Sequence, residues 1–142
     1  MSVKLTWLGH GTVSLETGGF EILVDPFLTD NPAASTTAGA VQADFILVSH
    51  GHGDHVSDLA AVAKRTGALV ISNFEIANWA AAQGMKTHAQ HLGGGHHHPF
   101  GYLKLTTAMH GSALPDGSYG GNPAGILLTT LDGEKIYLAC DT

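Results

Sequence analysis

The sequence predicts a layered α/β domain, a mixed β-sheet with helices outside it. Three observations point there. Short apolar or alternating runs with turn signals between them dominate the chain. Two segments with helix-start signals interrupt those runs, at 57–65 and 72–83. The run at 44–49, DFILVS, is nearly all apolar, as a strand covered on both faces must be. Strands with interleaved helices stack as layers around a shared core.

In chain order, residues 3–8 alternate and put Val3, Leu5 and Trp7 on one face. A Gly-His-Gly turn leads to a strand at 12–16, and Gly18-Gly19 turns it back into one at 21–25. Pro26 ends that strand because it has no N–H for the ladder. Residues 29–40, TDNPAASTTAGA, carry turn formers without periodicity and read as a surface loop. After the buried strand at 44–49, a helix is expected at 57–65. Ser57 would be its N-cap, Asp58 sits in its first turn, and Lys64-Arg65 form a solvated last turn. A strand follows at 68–71. Ser72-Asn-Phe-Glu75 matches a capping box opening a helix that Gly84 ends. Residues 93–95 are a glycine loop; His96-His97-His98 read as exposed loop, the other reading being an accessory metal or substrate role, and His88 and His91 read as surface or loop. The last strands are expected at 102–106, 124–130 and 134–139, with Asp132-Gly133 as a hairpin turn.

Composition narrows the function classes. The chain has 142 residues, one domain's worth. Charged residues are 13% and mean hydropathy is +0.12, so the chain buries a core rather than staying disordered. The longest apolar runs fall far short of the ~20 residues a membrane span needs. The N-terminus lacks a cleavable apolar region, which argues against a signal peptide. A net charge of −6 argues against a broad nucleic-acid-binding face. The single cysteine, Cys140, excludes an internal disulfide and makes a reducing cytoplasm the expected compartment. Ten histidines exceed the six lysines and arginines. Histidine serves as switch, proton shuttle or metal ligand.

Residues 50–55 read His-Gly-His-Gly-Asp-His, directly after the buried strand. Three imidazoles and a carboxylate in six residues suit a borderline divalent metal. Gly51 and Gly53 would supply the backbone freedom to bend all four toward one point. An open catalytic ion needs about three protein ligands, so this density favours two metals over one.

With those residues in view, the chain resembles the metallo-β-lactamase fold superfamily of metal-dependent hydrolases, whose H-x-H-x-D-H signature stands here as His50, His52, Asp54 and His55. Further segments are similar to its lactonase-like and phosphodiesterase-like members. They are Thr6-Trp-Leu-Gly-His10, Asp25-Pro-Phe-Leu28, Asn73-Phe-Glu-Ile-Ala-Asn-Trp79, Gly120-Gly-Asn-Pro-Ala-Gly125 and Ile136-Tyr-Leu-Ala-Cys-Asp-Thr142. The likeness runs from residue 3 to the end.

The resemblance implies the first half of an αββα metallo-β-lactamase sandwich. It implies that His50, His52 and His110 bind one metal, that Asp54 and His55 bind a second, and that Asp141 bridges both. Asp25 would orient a ligand imidazole. His10 would sit in the pocket close to the metals; a turn histidine bonded to backbone is the other reading. Asn122 would shape the same pocket, or simply make the turn before Pro123. The implied chemistry is hydrolysis of a small ester, lactone or phosphodiester by a hydroxide bridging two divalent ions, zinc or manganese. Cys140 departs from the glycine usual in the family. Strand alternation would turn it away from Asp141, into the core.

The family's fold has two similar halves and needs a longer chain. The expectation is that residues 1–142 are the N-terminal part. The partner would be the C-terminal half of the same protein, on a second chain. Alone, this half would leave a bare sheet edge and associate with itself into a homo-oligomer. The alternative to an active enzyme is a metal-binding fragment that is catalytically incomplete without its other half.

Overall fold

The computed structural model describes residues 2–142, and ten strands and three helices lie among them. The first six strands form one sheet. β1 (Lys4–Gly9), β2 (Thr12–Thr17) and β3 (Phe20–Val24) are an antiparallel meander. β4 (Phe45–Leu47), β5 (Leu69–Asn73) and β6 (Thr87–Gln90) then add in parallel, giving the order β1-β2-β3-β4-β5-β6. The parallel crossovers carry the helices. α1 (Gly53–Val56) and α2 (Leu59–Thr66) lie between β4 and β5, and α3 (Phe74–Ala82) between β5 and β6. β7 (Gly95–His98), β8 (Gly101–Thr107), β9 (Ala124–Thr130) and β10 (Lys135–Leu138) form a second, antiparallel sheet in the order β10-β9-β8-β7.

Alternation along the central strands builds two cores. Leu23, Ile46 and Val70 face one way and meet Val56, Leu59, Val62, Ile76 and Ala80 of the helices. Ile22, Val24, Phe45, Leu47 and Ile71 face the other way and meet Leu103, Leu105, Ile126 and Leu128 of the second sheet. The layers are helix, sheet, sheet. This double cover explains why 44–49 reads as continuously apolar. No helix among the described residues is long and apolar enough to cross a membrane.

Several local expectations are corrected. On β1, an edge strand, Leu5 and Trp7 are 51% and 61% exposed. The second helix begins two residues late, at Leu59. Asp58 occupies the N-cap position but turns its carboxylate elsewhere, accepting from the Leu28 and Thr29 amides at 2.6 and 2.8 Å. Arg65 is not simply solvated, since its guanidinium donates to the carbonyls of Ala38 and Val41 and fastens the long loop. The capping residue of α3 is Asn73, which accepts from the Ile76 amide at 2.8 Å; Ser72 instead donates to the Val48 carbonyl. The polar stretches 87–90 and 95–98 are strands. Their ladder bonds, rather than apolar patterning, decide them. The His96-His97-His98 run is therefore β7, not a loop, and His88 lies in β6.

His98 is buried, stacked on Phe100 with ring centroids 5.1 Å apart. Burial, and then the neighbouring His88 and His96, pull its pKa down to about 4. The unfolded chain takes up that proton near pH 6.5. Its contribution to stability is thus complete above about 6.5 and is lost as pH falls toward 4. In EDTA, the urea midpoint of the wild type should drop between pH 7 and 4.5, and His98→Phe should reduce that drop. Parallel pH curves for the two proteins would contradict the assignment.

Candidate metal centre

Three strand ends converge. β4 runs into Ser49 and His50, and α1 begins three residues later. His52 holds the N-cap position of α1 with extended backbone, at φ −63° and ψ 148°, while Asp54 and His55 lie on the helix. β8 and β10 both run antiparallel to β9, so their ends lie on the same edge. His110 follows β8 and Asp141 follows β10. His10 sits in the β1–β2 turn.

The glycines work differently from expectation. Neither Gly51 nor Gly53 has positive φ. Gly51 is needed for close approach, because a Cβ there would meet the Ser112 carbonyl oxygen at 2.8 Å. The backbone strain falls instead on His10 (φ 53°), Asp25 (φ 48°) and Cys140 (φ 58°).

The rings of His50, His52 and His110 lie 4.7 to 5.0 Å apart, and their ligand-type nitrogens are all within 4.8 Å of one another. Asp141 Oδ2 stands 3.2 Å from His55 Nε2, 3.5 Å from His110 Nε2 and 3.7 Å from His50 Nε2. The Nε2 atoms of His50 and His55 are buried, yet neither makes a hydrogen bond. Buried polar atoms are normally satisfied. Two orphaned imidazole nitrogens beside a carboxylate fit a cation as the absent partner. His10, Asp54 and His55 form an adjoining group of the same kind: His10 Nε2 is 2.9 Å from Asp54 Oδ2, and Asp54 Oδ1 is 3.9 Å from His55 Nε2.

Behind the cluster lies a buried network. Asp25 Oδ1 accepts from the Ser49 amide at 2.7 Å. Its Oδ2 accepts from the Ser49 hydroxyl at 2.5 Å and pairs with His55 Nδ1 at 2.9 Å. Ser49 Oγ also lies 2.9 Å from His50 Nδ1. Asp25 thus aims His55 directly and His50 through Ser49. Thr12 holds the Asp25 carbonyl at 2.7 Å, and Ser112 accepts from the Gly51 amide and donates to the Gly120 carbonyl. Sequence reasoning singled out Asp25 but missed Ser49, Thr12 and Ser112. Only Ser49's place at the strand end beside the motif could have marked it.

Electrostatics separate the imidazoles. Burial, and then the charge of His55, pull His50 down to about 4, so it is neutral at pH 7. Burial also opposes charge on His55, but the hydrogen bond and charge of Asp25 outweigh it and raise its pKa. Burial works to raise Asp54, but the His10 hydrogen bond and the charge of His55 outweigh it and keep the carboxyl below its ordinary value.

Asn122 is not part of this cluster. It is exposed and lines a separate cavity with Asn73, Glu75, His91, Leu92 and Tyr119. Its carbonyl accepts from Asn73, which fits the turn reading. His10 stands beside the cluster, its Nε2 2.9 Å from Asp54 Oδ2.

A helix-covered mixed sheet stacked on an antiparallel sheet, with histidines and aspartates gathered at the strand ends, defines a metallo-β-lactamase-type domain. A family model described as the beta-lactamase superfamily domain matches residues 4–104, and the chain belongs to this family. A UPF0173 metal-dependent hydrolase of Flavobacterium johnsoniae is 44% identical across 99% of this chain and 62% of its own length. Another, from Bacillus cytotoxicus, is 47% identical across 99% and 63%. Among solved structures, Igni18, a metallo hydrolase from the hyperthermophilic archaeon Ignicoccus hospitalis, superposes with a TM-score of 0.84 at 32% identity. That match covers 99% of this chain and 61% of the other. The chain spans about 62% of the length of the curated relatives it matches.

Cys140 packs against the inter-sheet core, as expected, but for another reason than alternation. β10 ends at Leu138, so strand geometry does not govern residues 140 and 141. The positive φ of Cys140 is one that glycine adopts freely. Burial, and then the Asp25 carboxylate, push its thiol up to about 12. At pH 8 a thiol-alkylating reagent should label the native protein at least roughly tenfold more slowly than the urea-unfolded chain. Equal labelling rates would contradict a half-buried thiol of raised pKa.

Proposed function

We propose that the intact protein is a binuclear metal-dependent hydrolase of a small ester, lactone or phosphodiester, working with zinc or manganese in the cytoplasm. The observation that carries this is the Asp141 carboxylate set among three histidine Nε2 atoms, two of them buried and unpartnered. His50, His52 and His110 would hold one ion, Asp54 and His55 the other, and Asp141 would bridge them. When bound, such ions supply a water of lowered pKa and positive charge opposite a developing oxyanion.

The chain's own residues prepare that chemistry. Asp25 takes the His55 Nδ1 proton side and leaves Nε2 facing the cluster. Ser49 fixes the ring of His50. His10 holds Asp54 by its Oδ2. No thiolate competes as nucleophile, since Cys140 is half-buried and its thiol is pushed up to about 12. Mixed imidazole and carboxylate donors suit zinc and leave manganese possible.

A second reading rests on length. Because the chain spans about 62% of its curated relatives, residues 1–142 alone would bind metal without turnover, and a C-terminal half would complete the second ion's ligands. Metal analysis and a panel of lactones and phosphodiesters, applied to the intact protein and to this chain, separate the two. Two ions at the 50–55 cluster with turnover support the enzyme; one loosely held ion there without turnover in both preparations contradicts it. In the intact enzyme, Asp54→Ala should abolish turnover, and near-normal activity would defeat the mechanism. Asp25→Asn should lower zinc affinity about 10–100-fold. Unchanged affinity in a chelator competition would remove Asp25 from its orienting role.

A further inference from the structure

A second histidine cluster lies away from the first. β6 is an edge of the six-stranded sheet and β7 an edge of the four-stranded one. His88 is on β6; His96 and His98, two residues apart on β7, share a face. The three rings are 4.4, 4.7 and 5.0 Å apart, as close as those of the first cluster. Their ligand-type nitrogens all lie within 4.8 Å of one another. A tetrahedral zinc with Zn–N near 2.0–2.1 Å sets its nitrogens about 3.4 Å apart, a small side-chain adjustment from here.

One imidazole is already oriented. Gln90 Nε2 donates to the Leu103 carbonyl at 3.3 Å, which turns its Oε1 toward His98. That oxygen accepts from His98 Nε2 at 2.7 Å. The proton is thereby placed on Nε2, and the lone pair is left on Nδ1. A hydrogen bond of this kind behind a metal-binding imidazole fixes its tautomer and ring. His96 is exposed, and a cavity of about 310 Å³ lined partly by His88, His91, Gly94 and His96 gives an ion access and room for a water.

We propose that His88, His96 and His98 form a further metal site, taking a borderline divalent ion such as zinc or nickel and tying the edges of the two sheets together. Three imidazoles with no carboxylate among them select such ions over magnesium or calcium. The ion bridges an edge strand of each sheet, so its binding adds to fold stability.

The test uses intact protein stripped with EDTA, with zinc as the probe. The background is His52→Ala/Asp54→Ala/His110→Ala/Asp141→Ala, which removes ligands of both ions of the first cluster. Zinc titration on that background should still bind about one equivalent and raise the melting temperature. Adding His88→Ala/His96→Ala should remove that equivalent and the thermal shift. A single change at exposed His96, to Asn, should weaken binding at least roughly tenfold and covers the case in which the multiple variant fails to fold. Undiminished zinc binding in His96→Asn, or no zinc bound on the starting background, overturns the site.

Discussion

The buried Asp25 carboxylate is the contact on which the rest of the site depends. It ends β3 and reaches across to the end of β4, where it meets Ser49 and His55. One acidic group thus fixes two histidines from behind, one of them through a hydroxyl. A buried carboxylate is tolerable only with such a complement of donors. Its backbone is tied as well: the Asp25 amide donates to the Leu47 carbonyl at 3.0 Å, and its own carbonyl accepts from Thr12. These bonds hold Asp25 at a positive φ that costs about 1–2 kcal/mol for an L-residue.

Strain is gathered around the same point. Three of the four non-glycine residues with positive φ among the described residues are His10, Asp25 and Cys140, each touching or adjoining the cluster. The sheets themselves are regular, with the register shift between Trp7 and Gly9 leading into the His10 turn. The two-sheet core is the rigid support, and the deviations lie where strand ends present side chains. Sites that need fixed geometry are built this way, with local cost carried by surrounding packing.

Much of this was legible in the sequence, and what was hidden was hidden for physical reasons. The central strands announced themselves because burial on both faces forces an apolar run such as Phe45–Leu47. The 50–55 motif was dense enough in ligand-type residues to mark the site unaided. β6 and β7 could not be read, because Thr87, His88, His96 and His97 carry no apolar period and ladder bonds alone make them strands. The glycine argument at 51 identified the right residue with the wrong cause, since closeness of Ser112 is a tertiary fact. Asn122 failed because a polar residue in a turn gives no sign of which cavity it faces.

The proposed centre brings side chains from separate turns to a pair of cations. Anomalous diffraction at the zinc edge, on crystals of the zinc-loaded intact protein, tests that most directly. It should reveal two peaks about 3.5–4 Å apart, one enclosed by His50, His52 and His110, the other beside Asp54 and His55, with Asp141 between them. A density map with no peak there, or with a single ion that Asp141 does not touch, would contradict it.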